Sequence, residues 1–234
     1  MMTGTLFDLP PAGKPAGRAE WVPAAWPFGD LPARAFGRII ADPPWAFDNY
    51  SARGEERNPK AHYACLDLET LKALPVAQLA DPEGCLLWLW ATWPMLAQGL
   101  EVLTAWGFRY VSGFPWNKRT LAGGPVMGTG YVVRGTSEPV LLGVRGRPAY
   151  GPEIRRVRGC LDTCDDAAVL DGWFLDAGRR EHSRKPDQQY AMLDLMVPHV
   201  AGAELFARTC WPGWRAWGNQ TDRFAAPAAH GTDQ

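Results

Sequence analysis

Residues 36–45 read FGRIIADPPW, an apolar run that stops abruptly at one carboxylate and two prolines. A short apolar run bounded in this way is typical of a buried strand that leads into a loop. The loop is expected to be rigid, because proline fixes φ and has no N–H to donate. The stretch therefore predicts a buried strand with the carboxylate of Asp42 at its carboxyl end.

Strands and helices alternate along the rest of the chain. Helices are predicted from Asp67, as the N-cap, to Leu79 with a break or kink at Pro75, at 94–107 and at 187–197. Further strands are predicted at 85–91, 108–116, 140–144, 203–207 and 215–217. This alternation predicts an α/β sandwich with a mostly parallel sheet. We expect an irregular arm at 1–33, the folded domain at 34–222 and a disordered tail at 223–234.

The composition suits one globular domain, since the 234 residues are 47% apolar. A formal charge of −1 excludes a field over the whole protein that attracts polyanions. Basic side chains instead flank an acidic stretch at 162–176, in clusters at 145–158 and 179–185. These clusters either contact phosphates locally or belong to a solvated surface of mixed charge. Twelve tryptophans supply rings for a core and for holding a planar ligand.

Cysteine usage and apolar runs indicate the compartment. Five cysteines, an odd number, argue against a disulfide framework and for a reducing environment. Cys160 and Cys164 have no second Cys or His pair at zinc spacing, so we expect no metal. The start of the chain lacks a basic segment before a long apolar run, and the longest apolar run, around 85–92, is too short to cross a bilayer. We expect a soluble, cytoplasmic protein without a membrane partner.

The tetrapeptide at 42–45 has the groups needed to methylate an amino nitrogen whose lone pair is delocalised into a ring. Such a nitrogen needs acceptors for its protons, one carboxylate and one backbone carbonyl about 3 Å away, more than it needs a strong base. Asp42 supplies the carboxylate, Pro43 and Pro44 leave their carbonyls free, and Trp45 offers a ring face for stacking. The alternative is a rigid turn after a strand. The position of the tetrapeptide at the end of a predicted strand weighs against a plain turn, because ligands bind beyond the carboxyl ends of parallel strands.

The sequence resembles the DPPW-type N6-adenine methyltransferases, typified by the catalytic subunit of the eukaryotic messenger-RNA adenosine methyltransferase, as a prokaryotic or phage-type member. The resemblance covers roughly residues 36–222 and rests on eight segments in the family's order. They are IIADPPW (39–45), LLWLW (86–90), WGF (106–108), WNK (116–118), EPVLLGVRG (138–146), SRKPD (183–187), ELFAR (204–208) and WGNQ (217–220).

The resemblance implies a Rossmann-like methyltransferase sandwich that uses S-adenosylmethionine, with the catalytic motif before the main cofactor-binding strand. It assigns cofactor binding to Asp42, Lys185, Glu204, Arg208, Asn219 and Gln220. It assigns the target base to Trp45, Tyr63, Lys118, Glu138 and Arg184. Lys185 is expected to neutralise the cofactor's carboxylate, and the amide side chains suit ribose hydroxyls because they donate and accept.

Two departures from the family pattern concern the ligands. Thr209, Cys210 and Trp211 stand where better-known eukaryotic members carry polar groups facing the cofactor's adenine, and Trp211 is the candidate to stack there instead. The segment 46–62 is longer than in those members and highly charged, and we expect it to be a mobile lid that shapes substrate choice.

The expected function is methylation of adenine N6 in a nucleic acid. DNA is favoured over RNA, because the compact form resembles prokaryotic and phage-type members. The alternatives are methylation of a protein amide nitrogen, for which Asp instead of Asn in the motif is unfavourable, and a non-catalytic nucleic-acid-binding subunit. A homo-oligomer or a partner subunit is compatible with the sequence, and no RNA- or DNA-binding module is recognisable in it.

Overall fold

The computed structural model describes residues 26–45, 66–118, 124, 126, 132–152, 154, 161–162 and 184–224. These residues form three α-helices and a sheet of seven strands in the order β5-β3-β4-β2-β1-β6-β7. The strands are β1 (Arg38–Ala41), β2 (Gly84–Trp90), β3 (Arg109–Asn117), β4 (Ser137–Gly146), β5 (Leu161–Asp162), β6 (Gly202–Leu205) and β7 (Trp214–Trp217). The helices are α1 (Leu68–Ala73), α2 (Leu96–Ala105) and α3 (Gln188–Met196).

Strand direction decides where the functional side chains meet. β1 pairs in parallel with β2 and β6, β7 pairs in parallel with β6, and β4 is antiparallel to both β2 and β3. All of the seven described strands except β4 therefore run the same way, which confirms the mostly parallel sheet. The carboxyl ends of these strands share one edge with the amino end of the reversed β4. We call this edge the catalytic edge.

Both faces of the sheet are covered, so its central strands are apolar throughout. Alternate residues of β2 belong to two separate cores, Leu87 and Leu89 to one, Trp88 and Trp90 to the other. The first core packs against α1 and α2, and the second against α3. Strands that are buried on both faces read as continuous apolar runs, which is the pattern seen in CLLWLWA.

The helices begin and end at residues whose chemistry explains the boundary. Asp67 caps α1, since its carboxylate accepts hydrogen bonds from the backbone N–H of Thr70 at 2.9 Å and its hydroxyl at 2.7 Å. The helix stops before Pro75, and a short 3-10 turn at Val76–Gln78 follows. α2 ends at Ala105, and the chain turns away two residues later at Gly107, whose φ of +77° is a conformation that suits glycine.

Three features differ from the predictions. β4 starts at Ser137, earlier than predicted, and its reversed direction follows from no apolar pattern in the sequence. β5 was not predicted. The described end of the predicted arm, 26–33, contributes Phe28 and Leu31 to the first core, and Arg215 of β7 forms an ion pair with Asp30 at 2.6 Å.

Some predicted features lie outside the described residues. They are most of the arm, the lid at 46–62, Tyr63, Cys160, Cys164, most of the charged stretch at 155–183 and the tail from 225. Within the described part of the chain, no helix is long and apolar enough to cross a membrane. The same part contains no group of three or more His, Cys, Asp or Glu side chains that is arranged to hold a metal ion.

Candidate active site

A cavity opens at the catalytic edge, next to the ends of β1 and β6. The charged side chains that line it are Asp42, Arg184, Lys185, Asp187, Glu204 and Arg208. The other lining residues are Gln189, Tyr190, Phe206, Thr209 and Phe224.

Asp42 is placed by the strand that precedes it. Its backbone N–H donates to Leu205 O at 3.4 Å, a bond that continues the β1–β6 ladder by one residue beyond the strands. Its side chain is only 13% exposed, with Oδ1 2.9 Å from Lys185 Nζ and Oδ2 3.9 Å from Arg208 Nη2. Two cations thus face the carboxylate in a largely enclosed place.

Lys185 joins Asp42 to Glu138. Its Nζ lies 3.2 Å from Glu138 Oε2 and 5.3 Å from the ring centroid of Trp90, in a cation–π contact. Burial lowers the pKa of Lys185, but the carboxylates of Asp42 and Glu138 outweigh burial and hold that pKa above its ordinary value. The ammonium is therefore positive at every physiological pH.

Glu138 is held by two lysines. It lies near the amino end of the reversed β4, opposite Trp116 of β3, and its Oε1 accepts a hydrogen bond from Lys118, which follows β3. Burial by itself raises the pKa of Glu138, but the charges of Lys185 and Lys118 outweigh burial and lower it to about 2. The two carboxylates and three cations of this cluster, with Arg208 as the third cation, leave a net charge of +1.

A second buried acid lines the same cavity. Glu204 of β6 accepts a hydrogen bond from the hydroxyl of Tyr190 at 2.6 Å. Burial raises the pKa of Glu204 to about 7, against the opposing effect of that hydrogen bond. Burial, followed by the charge of Glu204, also raises the pKa of Tyr190. Tyr190 thus remains the donor and Glu204 the acceptor.

Arg184 and Arg208 line the same cavity. Nη2 of Arg184 lies 3.3 and 3.2 Å from the two carboxylate oxygens of Asp187, at the start of α3. The structure thus brings together Asp42, Arg184, Lys185, Glu204 and Arg208 in one cavity, and it connects Lys118 and Glu138 to them through ion pairs.

Trp45 is not an open stacking surface in this structure. Its ring is 4% exposed and packs in the first core, and its Nε1 donates to Trp90 O at 3.0 Å. The prediction that both proline carbonyls are free is wrong, because Pro43 O accepts from Trp45 N at 2.8 Å and Pro44 O accepts from Leu66 N at 3.2 Å. A carbonyl oxygen has two lone pairs, so each retains capacity for one more hydrogen bond.

The predicted residues after β7 do not line the cavity. Asn219 is exposed, and Gln220 Oε1 accepts a hydrogen bond from Arg223 Nη1 at 2.9 Å. Trp211 is likewise absent from the described lining, because its ring stacks on Tyr190 at 4.2 Å with an interplanar angle of 13°. Tyr63 lies outside the described residues.

Part of the first predicted basic cluster lies away from the site. Arg145 belongs to the carboxyl end of β4, which is paired with the start of β2 at the edge opposite to the catalytic edge. Its Nη1 donates to Gly107 O at 3.3 Å. Arg184 and Lys185, from the end of the second cluster, do lie in the cavity.

The sequence interpretation missed six lining residues from three segments, including Asp187 and Gln189 at the start of α3. Tyr190 is visible in the sequence only as a member of the helix predicted at 187–197, and Phe206 lies inside the quoted ELFAR segment without an assigned role. Phe206 has a φ of +61°, which is uncommon for a residue with a side chain. Thr209 was noted only as a departure, and Phe224 fell in the predicted tail, where no pattern singled it out.

Comparison with known proteins identifies relatives of this chain. Residues 36–220 match the MT-A70 family model. The chain is 32% identical over 203 residues to the N6-methyladenosine RNA methyltransferase MTA1 of Cryphonectria parasitica, covering 83% of this chain and 54% of that protein. It is 29% identical over 210 residues to the type II methyltransferase M.MunI of a Mycoplasma species, covering 82% and 80%.

A human protein belongs to the same set of relatives. The N(6)-adenosine-methyltransferase catalytic subunit METTL3 is 29% identical over 194 residues, which are 80% of this chain and 28% of that protein. The chain thus spans about half of the fungal relative, roughly a quarter of the human one and most of the bacterial one. The family match includes Asp42, Lys185 and Arg208 and the strands that position them. This chain, with its α/β Rossmann-like methyltransferase fold and its DPPW motif, belongs to the MT-A70 family.

Proposed function

We propose that this chain transfers a methyl group from S-adenosylmethionine to the exocyclic N6 of adenine in a nucleic acid. The observation that carries the proposal is the position of Asp42. Its carboxylate follows β1 at the catalytic edge, lines the cavity and is held at 2.9 Å from Lys185 Nζ. The names of the fungal and human relatives, an N6-methyladenosine RNA methyltransferase and an N(6)-adenosine-methyltransferase subunit, support the same reaction for this chain.

The residues of the cavity fit the proposed cofactor. Its amino-acid end carries one ammonium and one carboxylate, and Asp42 and Lys185 present the complementary pair of charges. A nucleoside needs apolar surface as well, which Phe206 and Phe224 provide. A Cβ on Gly218 would lie 2.6 Å from Ala207 O, so glycine permits the close approach of the loops after β6 and β7. When bound, the cofactor supplies an electrophilic methyl group on its sulfonium.

The residues around Asp42 organise acceptors instead of a strong base. An adenine amino group held against Asp42 donates one N–H to the carboxylate, and a proline carbonyl with a remaining lone pair takes the other. This geometry directs the nitrogen lone pair away from the ring, so that it can attack. Charge that develops on the nitrogen is stabilised by the fixed carboxylate, which needs no reorganisation.

Lys118 and Glu138 are proposed to contact the target base. Lys118 follows β3 and Glu138 lies near the start of β4 at the catalytic edge, and their ion pair is connected to Asp42 through Lys185. A base inside a duplex cannot reach such a cavity, so the target must be flipped out or already unpaired. The roles of Tyr63 and of the lid at 46–62 in covering that base remain part of the proposal.

DNA is the polymer that we favour. The support is the similarity to the bacterial type II methyltransferase, 29% identical over 210 residues, which are 80% of that protein. We also propose that the chain acts with a second copy of itself or with a partner subunit, since the human relative is named as a catalytic subunit. With a formal charge of −1, affinity for nucleic acid is expected to be modest and to fall with salt.

Product analysis tests the proposal. Purified protein is incubated with labelled S-adenosylmethionine and, separately, with duplex DNA, single-stranded DNA and RNA, and the nucleosides are identified by mass spectrometry. We expect N6-methyladenine from the wild type, most of it in DNA, and none from Asp42→Ala. Label on a protein amide nitrogen, with no label on any nucleic acid, would refute the assigned substrate class. Product in RNA alone would refute the preference for DNA.

A further inference from the structure

The aromatic surface of the cavity is not where the sequence placed it. Trp211 was the candidate to stack on the cofactor's adenine, but it stacks on Tyr190 instead, at 4.2 Å. Phe206 packs edge-on against Trp217, with their ring centroids 5.2 Å apart. Phe224, which follows the matched segment 36–220, is the remaining aromatic side chain in the described lining.

Phe224 is held at the cavity by its backbone. Its N–H donates to Arg208 O at 3.0 Å, and its carbonyl accepts from Thr209 Oγ1 at 2.9 Å. These two bonds fasten residues 221–224, which we call the C-terminal strap, onto the segment that follows β6. Neither bond involves the phenyl ring, so substitution of the side chain leaves the strap's attachment intact.

The ring itself lies beside a cation. The guanidinium carbon of Arg184 is 5.4 Å from the centroid of the Phe224 ring, and Arg184 is tied in turn to Asp187. The ring is half-buried, and among the described residues it belongs to neither of the two hydrophobic cores. The cation–π contact and the two backbone bonds fix the ring before any ligand arrives, which limits the entropy lost on binding.

We propose that Phe224 is a binding residue for the nucleoside end of the cofactor and packs against its adenine. The inference rests on the proposed function. The amino-acid end of the cofactor is assigned to Asp42 and Lys185, because their carboxylate and ammonium complement its ammonium and carboxylate. A flat, weakly polar purine instead needs an aromatic surface. In this chain, the strap's Phe224 takes over the adenine contact expected of residues 209–211.

Calorimetry with S-adenosylhomocysteine tests the role of the ring. Phe224→Ala is expected to raise the Kd about tenfold, Phe224→Leu about threefold and Phe224→Tyr less than twofold. Asp222→Ala, an exposed change on the same strap, is the matched control and should leave the Kd within twofold. Thermal unfolding checks that each variant is folded. If Phe224→Ala proves unfolded, Phe224→Leu decides.

A second probe locates the contact on the ligand. 5′-Methylthioadenosine lacks the amino-acid end, so Phe224→Ala should weaken its binding by the same factor as that of S-adenosylhomocysteine, whereas Lys185→Met should weaken only the latter. A Kd for both probes within twofold of the wild type in a folded Phe224→Ala overturns the inference. Loss for S-adenosylhomocysteine alone overturns the assignment to adenine. No binding of either probe by the wild type would instead contradict the proposed function.

Discussion

At the scale of single residues, the site depends on charges that compensate one another away from water. Lys185 lies between Asp42 at 2.9 Å and Glu138 at 3.2 Å, and Lys118 contacts the far side of Glu138. Removing one of these side chains leaves its partners charged, buried and only partly compensated. The loss of folding free energy then exceeds what the ion pair itself contributes. The effects of substitutions in this cluster should therefore exceed those of exposed ion pairs.

Glu138→Gln tests the proposed role of this residue in positioning the base. The change keeps the shape but leaves Lys118 and Lys185 without their shared carboxylate. We expect kcat for oligonucleotide methylation to fall at least about tenfold, while the Kd for S-adenosylhomocysteine changes about threefold or less. The matched control is Glu83→Gln, an exposed carboxylate next to β2 at the opposite edge. Equal losses in kcat and in cofactor affinity would contradict the assignment of Glu138 to the base.

Glu204 makes stability depend on pH. Its pKa is about 7 in the folded chain, compared with an ordinary value of 4.5. Between these values the folded state holds a proton that the unfolded state has released, so the free energy of unfolding falls as the pH rises. Tyr190 on α3, Asp42 after β1, and the nearby Arg208 and Asp187 are the groups that face it.

Urea denaturation from pH 4.5 to 8 measures the contribution of Glu204. Glu204→Gln cannot ionise, so its free energy of unfolding relative to the wild type should rise across this window, by about 1–3 kcal/mol. The sign is the decisive feature, because a carboxylate stabilised by cations produces the opposite slope. A difference between variant and wild type that stays constant with pH would show that Glu204 does not carry this proton.

At the scale of elements, strand positions were predictable where burial on both faces leaves a continuous apolar run, as in β1 and β2. Strand direction was not predictable, because an apolar run of either polarity reads alike. The reversal of β4 matters for function, since it brings Glu138 to the catalytic edge beside Lys118. No local pattern in the sequence brings Lys118 and Glu138 together. Only the resemblance to the family assigned both of them to the target base.

Gly218→Ala tests the packing of the loops after β6 and β7. Its Cβ would lie 2.6 Å from Ala207 O and 3.0 Å from Phe206 C, and both of these atoms belong to backbone. We expect the loops to separate, with a loss of about 1–3 kcal/mol in stability and a rise of roughly tenfold in the Kd for S-adenosylhomocysteine.

Gly213→Ala is the control for that substitution. Gly213 has a φ of +80° but nothing within 4 Å of its Cβ position. Alanine there should cost about 1 kcal/mol through backbone strain, without moving the cavity or changing cofactor affinity. Equal cofactor affinity in Gly218→Ala and Gly213→Ala would contradict the role assigned to close loop packing.

At the scale of the whole molecule, the sequence predicted the fold class and the charged residues of the cavity except Asp187. It failed where a side chain's surroundings depend on distant segments. Trp45 was expected to face a ligand, but its indole N–H bonds to Trp90 O and its ring packs in the core. Phe224 was assigned to a disordered tail because the residues around it carry no apolar period, and only the bonds to residues 208 and 209 show its place.

The family and the geometry together point to Asp42 as the residue on which methyl transfer most depends. Single-turnover methylation of an oligonucleotide with one unpaired adenine, at saturating S-adenosylmethionine, measures its contribution most directly. The wild type should yield N6-methyladenine, and Asp42→Asn should slow that step at least about a hundredfold, because an amide cannot stabilise the charge that develops on the nitrogen. A rate for Asp42→Asn within a few fold of the wild type, or methyl transfer to a different atom of the base, would contradict the account.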